Sequence, residues 1–198
     1  MNQYFEHNAS LKTVNSTFTC TVGGFSFTFN TRGGVFSKGG LDNFSSILIS
    51  RLLEMNISGD VLDLGCGFGA IGIILGKRFP GINLYQSDIN PAAVDLAAEN
   101  ARLNGVTSRA VLSDGYENLR FKFDWVILNP PIHAGKAVVY GLFRETKKHL
   151  KPGGRFVIVI HKKHGAESAL RELQGIFEDA EAVYKKKGLY VVVCGGIM

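Results

Sequence analysis

Residues 61–69 read VLDLGCGFG, an apolar run that passes directly into a turn with three glycines. Gly65, Gly67 and Gly69 let the backbone turn sharply and approach a ligand where a β-carbon would collide. The helix expected after Gly69 directs its N-terminal amides at the same position. The stretch therefore predicts a strand, a ligand-binding loop and a helix.

Strands and helices alternate on the C-terminal side of this loop. The expected order is strand 61–64, helix 69–78, strand 82–88, helix 90–104, strand 109–113, strand 123–128, helix 136–150, strand 155–160, helix 166–177 and a closing antiparallel pair, AEAVYKK and GLYVVVC. This alternation, with nearly continuous apolar strands, indicates an α/β fold whose mostly parallel sheet has helices on both faces. Ligands bind beyond the carboxyl ends of such strands. The chemistry is therefore expected at residues 63–69, 88–90, 113–116 and 129–135.

The N-terminal side of the loop predicts a β-hairpin and one helix. TFTCTVGGFSFTFN (17–30) holds two β-rich runs around Gly23-Gly24, and an amphipathic helix is expected near 41–55. With 198 residues the chain suits a single compact domain. We expect an extension with the hairpin at 1–34 and the main domain at 35–198.

Composition excludes several classes of protein. Apolar residues make up 45% and charged residues 20%, which argues against disorder and fibres. No apolar run approaches the roughly 18 residues needed to cross a bilayer. The N-terminus lacks the order of a signal peptide, so the expected location is the cytoplasm. Three widely spaced cysteines without a C-x-x-C pair argue against a disulfide framework or a metal site.

The net charge of +5 has two open interpretations. Lysines cluster at 147–151, at Lys162-Lys163 and at 185–187, and such patches attract a polyanion such as RNA. A solvated surface explains any single cluster equally well.

The glycine loop also fits G-x-G-x-x-G through Gly67, Gly69 and Gly72, so a nicotinamide dehydrogenase has to be considered. Asp63 argues against it, because a carboxylate there repels a pyrophosphate and attracts a cationic sulfonium amino acid. The expected cofactor is therefore S-adenosylmethionine. Cys66 lies within the loop as a small apolar residue.

Acidic residues end the next two strands. Asp88, followed by Ile89, can accept from both ribose hydroxyls, although helix capping is the alternative because Asn90-Pro91 follows. Asp114, followed by Gly115, can accept from the adenine amine, although a turn former is the alternative. All four residues, together with Asn129 after the following strand, are included in the expected cofactor site.

The motif Asn129-Pro130-Pro131-Ile132 is the expected catalytic site. The prolines end the strand at Asn129. The side-chain oxygen of Asn129 and the carbonyl of Pro130 can accept the two N–H groups of an exocyclic amine, which directs the nitrogen lone pair at the methyl carbon. The alternative is a turn that only ends the strand.

These motifs, together with VFSKGGLD (35–42) and NPPIHAGK (129–136), resemble the "methyltransferase small" family of Rossmann-like class I methyltransferases. The resemblance implies seven strands in the order 3-2-1-4-5-7-6, with strand 7 antiparallel. The best-known members of this family methylate guanine N2 in small-subunit ribosomal RNA, and the resemblance implies this activity for the chain. The resemblance also implies substrate contacts at Phe36 and Lys38. Ile132 departs from the family, which usually has an aromatic residue there.

Three further residues are expected to meet the substrate, namely His133, Lys162 and Lys163. The expected partner is RNA, either ribosomal RNA or a ribosomal particle, and the oligomeric state stays open. The alternatives are a methyltransferase for adenine N6 or a protein glutamine, and a non-catalytic RNA-binding or assembly factor. A role for His133 in a turn is as plausible as a role near the base.

Overall fold

The computed structural model describes residues 16–33, 35 and 40–195, and in them the chain forms nine strands and five α-helices. The strands are β1 (Ser16–Val22), β2 (Phe25–Thr31), β3 (Asp60–Leu64), β4 (Asn83–Asp88), β5 (Ser108–Leu112), β6 (Phe123–Leu128), β7 (Leu150–His161), β8 (Ala180–Lys186) and β9 (Leu189–Gly195). The helices are α1 (Asn43–Leu52), α2 (Ala70–Arg78), α3 (Pro91–Leu103), α4 (Lys136–His149) and α5 (Ala166–Ile176). Among the described helices, none has the length and apolar character needed to cross a membrane.

Seven strands form one sheet in the order β5-β4-β3-β6-β7-β9-β8. Counted from β3, this is the order 3-2-1-4-5-7-6, and β9 runs antiparallel to both of its neighbours. The predicted fold class is confirmed. β7 begins at Leu150, five residues earlier than expected, because Leu150 pairs with Phe123 before residues 151–154 bulge out of the ladder.

Alternate residues of the central strands pack into two cores, one on each face of the sheet. Val61 and Ile127 face α1, α2, α3 and the hairpin, whereas Leu62 and Val126 face α4 and α5. This follows from the two-residue period of a strand. All the carboxyl ends of the parallel strands therefore meet at one open edge.

The β1–β2 hairpin belongs to the first of these cores. Phe29 is completely buried, and its ring meets the edge of Phe68 in the glycine loop at a centroid distance of 5.5 Å. Asn100 on α3 accepts from the Asn30 amide at 2.8 Å and donates to the Phe68 carbonyl at 2.8 Å. The hairpin and the glycine loop are thereby held by the same buried side chain.

Candidate active site

The glycine loop leaves open space on one side and is tightly packed on the other. Gly65 and Gly67 have φ angles of 68° and 55°. A β-carbon on Gly67 would meet nothing within 4 Å, and one on Gly65 would lie 4.0 Å from its nearest neighbour. A β-carbon on Gly69 would lie 3.0 Å from the Ala97 β-carbon, so Gly69 serves the packing of the loop on α3.

Asp63 lies beneath the loop and is almost completely buried, with 1% of its surface exposed. Its Oδ2 accepts a hydrogen bond of 2.8 Å from the amide of Gly72 in the first turn of α2. Burial raises the pKa of the Asp63 carboxyl to about 6, although the bonds from Gly72 and Gln86 lower it. The carboxylate thus holds the start of α2 and brings a buried negative charge next to the loop.

Asp88 connects the ends of two strands at the open edge. Its Oδ2 accepts from the amide of Gly67 at 2.9 Å, and its Oδ1 accepts from the amide of Asn90 at 2.9 Å. The side chain of Asn90 accepts from the amide of Ala92 at 3.0 Å and caps α3. The capping function therefore belongs to Asn90, and each oxygen of the half-exposed Asp88 retains a lone pair for a ligand.

The other residues expected at the cofactor differ in exposure. Ile89 is 37% exposed directly after β4, and Asp114 is exposed after β5. A β-carbon on Gly115 would lie 3.0 Å from Leu142 of α4, so this glycine permits a close approach. Cys66 is buried, which raises the pKa of its thiol, and its amide donates to the Ser87 carbonyl at 2.9 Å.

A chain of hydrogen bonds orients the side chain of Asn129. Its Nδ2 donates to the Ser45 hydroxyl at 3.1 Å, and this hydroxyl donates to Oδ2 of Asp42 at 2.6 Å. Asp42 caps α1, because its Oδ1 accepts from the amides of Phe44 and Ser45 at 2.8 and 3.1 Å. With the amide nitrogen bonded to Ser45, the carbonyl oxygen of Asn129 is the group that can accept from a substrate.

The rest of the Asn-Pro-Pro-Ile motif forms a short rigid turn. Pro130 is buried and Pro131 is exposed, and the Pro131 carbonyl accepts from the amide of Ala134 at 2.9 Å. Ile132 is half-buried and packs against the core that faces α4 and α5. His133 is exposed on the same turn.

The predicted substrate residues are distributed over two regions. Lys162 and Lys163 are exposed in a turn that follows β7, where Lys162 forms an ion pair of 3.2 Å with Glu167. Phe36 and Lys38 lie outside the described residues. The structure therefore brings together the glycine loop, Asp88 and Asn129 at the open edge, with the lysines farther along it.

Comparison with known proteins identifies the family. The sequence matches the methyltransferase small domain over residues 26–193. The chain belongs to this family. It is thus an S-adenosylmethionine-dependent methyltransferase with the fold that the sheet order shows.

Three relatives show how far the similarity extends. The uncharacterized protein YbxB of Bacillus subtilis is 38% identical over 192 residues, which are 96% of this chain and 96% of that protein. Ribosomal RNA small subunit methyltransferase C of Photorhabdus laumondii is 40% identical over 134 residues, 66% of this chain and 39% of that protein. The 16S rRNA N2 methyltransferase RsmC of T. thermophilus, solved with AdoMet and guanosine, superposes with a TM-score of 0.82 at 27% identity, covering 92% of this chain and 50% of that one. The chain thus spans half or less of these two ribosomal RNA methyltransferases.

The candidate site at the glycine loop fits S-adenosylmethionine in shape and in charge. The open side of Gly65 and Gly67 accommodates a ligand against the backbone, and the buried carboxylate of Asp63 suits a cation. The exposed apolar side chain of Ile89 next to Asp88 suits a planar base above a ribose.

Sequence reasoning missed Asp42 and Ser45. The available signal was an acidic residue directly before an amphipathic helix, which is typical of an N-cap. Sequence reasoning also missed Gln86, a buried amide that donates to the Gly69 carbonyl at 3.0 Å. The signal there was a polar residue in the middle of an otherwise buried strand.

Proposed function

We propose that this methyltransferase transfers a methyl group to the N2 amine of a guanine in small-subunit ribosomal RNA. The observation behind this proposal is the orientation of Asn129, whose amide nitrogen is bonded to Ser45 and whose oxygen is thereby available at the open edge. The similarity to ribosomal RNA small subunit methyltransferase C, and to an enzyme solved with AdoMet and guanosine, supports guanine as the acceptor.

In this proposal the cofactor lies along the glycine loop. Gly65 and Gly67 allow its close approach, and the carboxylate of Asp63 attracts its positive charge. Asp88 accepts from the ribose hydroxyls with the lone pairs that Gly67 and Asn90 leave. Cys66, Ile89, Asp114 and Gly115 complete the expected cofactor site, and Asp114 accepts from the adenine amine. When bound, the cofactor supplies an activated methyl group.

Asn129 and Pro130 direct the acceptor amine. Their two carbonyl oxygens accept the two N–H groups of the amine, which turns the nitrogen lone pair out of the base plane and toward the methyl carbon. As the new N–C bond forms, the bond between sulfur and that carbon breaks and the nitrogen becomes cationic. It then releases a proton to solvent, so orientation rather than a strong base provides the acceleration.

A second acceptor deserves testing because of Ile132. This position lacks the aromatic ring that would stack on a base, and its side chain packs toward the core. Adenine N6 and the side-chain amide of a protein glutamine present the same pair of N–H groups to Asn129. A glutamine side chain has no ring, so an enzyme with that specificity would need no aromatic side chain at this position.

Transfer of tritium from labelled cofactor distinguishes these acceptors. The substrates are an unmodified transcript of small-subunit ribosomal RNA and the small ribosomal subunit assembled on it. After digestion to nucleosides, the expected labelled product is N2-methylguanosine. Label in N6-methyladenosine or in protein would move the proposal to the corresponding acceptor. Absence of any transfer, with S-adenosylhomocysteine still bound in calorimetry, would favour a non-catalytic RNA-binding factor.

A further inference from the structure

A cavity lies at the open edge, on the far side of the start of α1. Its volume is about 530 Å³, within the roughly 300–1,000 Å³ range of small-ligand sites. Its walls come from α1, the end of β7 and the β8–β9 hairpin. The lining side chains include Asn43, Ile47, His161, Tyr184, Lys186 and Lys187.

The first turn of α1 connects this cavity to the catalytic asparagine. Ser45 bonds to Asn129, whereas the preceding residue, Phe44, contacts the rings of His161 and His164. Asn43 lines the cavity directly. The first turn of α1 thus contacts Asn129 on one side and lines the cavity on the other.

Three aromatic rings form a cluster that includes His161, one of the residues lining the cavity. Phe44 lies 6.1 Å from His161 and 6.1 Å from His164, with interplanar angles of 77° and 27°. The rings of His161 and His164 are 5.9 Å apart. Phe44 is half-buried and His164 is exposed, so the cluster presents aromatic surface to solvent. Such surfaces stack with nucleic-acid bases of any sequence.

Positive charge borders the same cavity. Lys186 and Lys187 line it, and Lys163 is exposed on the neighbouring turn. Lys185, in contrast, has its ammonium 4.8 Å from the ring of Tyr190, and Lys162 is paired with Glu167. Of the three lysines at 185–187, Lys186 and Lys187 therefore face the cavity, and Lys185 faces Tyr190.

The conformation of Lys187 is an independent sign of a function at this turn. Its φ angle is 50°, the only positive φ of a non-glycine residue in the described part of the chain. Two-residue hairpin turns of this kind favour asparagine, aspartate or glycine there. The next residue, Gly188, has to be a glycine, because a β-carbon at this position would lie 2.8 Å from Nε2 of His161. The strained lysine is thus held next to the aromatic cluster by a closely packed turn.

We propose that this cavity binds a nucleotide adjacent to the methylated base on the same RNA strand. Its base stacks on the cluster of Phe44, His161 and His164, and Lys186 and Lys187 bind the phosphates on either side. The inference rests on the proposed function, because it requires an RNA strand at Asn129. It adds a second contact region that holds the strand while the target base enters the active site.

The test compares two double variants of equal charge in methylation of the unmodified small-subunit RNA transcript. Lys186→Gln with Lys187→Gln alters the cavity, whereas Arg120→Gln with Lys122→Gln removes two exposed positive charges at the opposite end of the sheet, outside the lysine clusters. The cavity variant should raise KM for RNA about tenfold and leave kcat within about twofold, because it removes ground-state binding. A plot of log kcat/KM against the logarithm of salt concentration should become less steep by about 1.4, because each of the two lost phosphate contacts to a single strand contributes roughly 0.7 to the slope. The control should resemble the parent.

Stacking is tested separately at Phe44. Phe44→Leu keeps an apolar side chain and should raise KM several-fold, whereas Phe44→Tyr keeps the ring and should restore the parental KM. Unchanged KM and salt slope in the lysine variant, while the parent still forms N2-methylguanosine, would refute the cavity as an RNA site and leave the proposed function intact. A parent that methylates no RNA would refute the proposed function and this inference together.

Discussion

The open edge of the sheet has two halves that differ in how their side chains are held. In the half after β3 and β4, the polar groups of Asp63, Gln86 and Asp88 all bond to the backbone of the glycine loop or of the helix that follows it. In the half after β7 and at the β8–β9 turn, the lysines and His164 are exposed, and His161 is half-buried. The first half is organised before any ligand arrives, and the second is an open surface.

This difference matches the two tasks that the proposed function requires. The cofactor is one small molecule of constant shape, so buried hydrogen bonds can organise its site in advance. A polyanionic strand is long and flexible, and exposed cations bind it without demanding one geometry. Asn129 lies between the halves, and its side-chain amide is held by a hydrogen bond to Ser45.

The largest expected effect tests the proposed role of Asn129 as the acceptor for the substrate amine. Asn129→Ala should reduce kcat by about 10²–10³, the result of removing a preorganised acceptor from an active site. The affinity for S-adenosylhomocysteine should stay unchanged, because the cofactor half is organised by other residues. Asn129→Asp keeps the acceptor and should retain measurable activity. An alanine variant as active as the parent would reduce the motif to a turn that ends β6.

The buried charge of Asp63 predicts how stability depends on pH. The pKa of this carboxyl is about 6 in the folded chain because of burial, and about 3.9 in an unfolded chain. The contribution of Asp63 to the free energy of unfolding is therefore fully present below about pH 4, and it is lost as the pH rises through 6. Relative to Asp63→Asn, the parent should lose on the order of 3 kcal/mol of unfolding free energy between pH 4 and 7. Urea unfolding of both proteins across this range measures the difference, and a constant difference would contradict the buried charge.

Asp88 is the next test of the organised half. Asp88→Ala removes the acceptor for the amides of Gly67 and Asn90 and the proposed ribose contact. Cofactor affinity should fall by roughly 1.5–3 kcal/mol, the range for hydrogen bonds to a charged group. Calorimetry with S-adenosylhomocysteine measures this loss. Asp114→Ala is the matched variant, and its loss should be smaller because that side chain is exposed. An equal loss in both would contradict the inference that hydrogen bonds to the glycine loop prepare Asp88 for the cofactor.

The sequence predicted the α/β class from the alternation of strands and helices, and the strand order through the family resemblance. Both are confirmed, because periodic apolar runs determine which segments can form a covered parallel sheet. The early start of β7 was not predictable, because Leu150 joins the ladder through a pairing with Phe123 across a bulge. No local pattern around Lys151-Pro152 signals such an extension.

Within the site, the sequence predicted the residues whose chemical type indicates a role and which lie in or beside the glycine loop. It did not reveal contacts between distant segments. Ser45 and Asn129 are 84 positions apart, and Asn100 meets Asn30 across 70, so both contacts exist only after the elements have packed. The predicted roles of Phe36 and Lys38 stay predictions, since both lie outside the described residues.

The smallest expected effect concerns Ser45, which couples α1 to the side-chain amide of Asn129, the proposed catalytic residue. Ser45→Ala removes one hydrogen bond to Asn129 and lets the amide rotate, so that its nitrogen faces the substrate in part of the molecules. The expected loss is about 0.5–1.5 kcal/mol, or roughly two- to tenfold in kcat, as for one ordinary hydrogen bond. KM for RNA should change little, because the serine touches neither the cavity nor the lysines. Ser45→Thr keeps the hydroxyl and should restore the rate. If alanine and threonine lower kcat equally, the loss comes from altered packing of α1, and the orientation of Asn129 does not depend on Ser45.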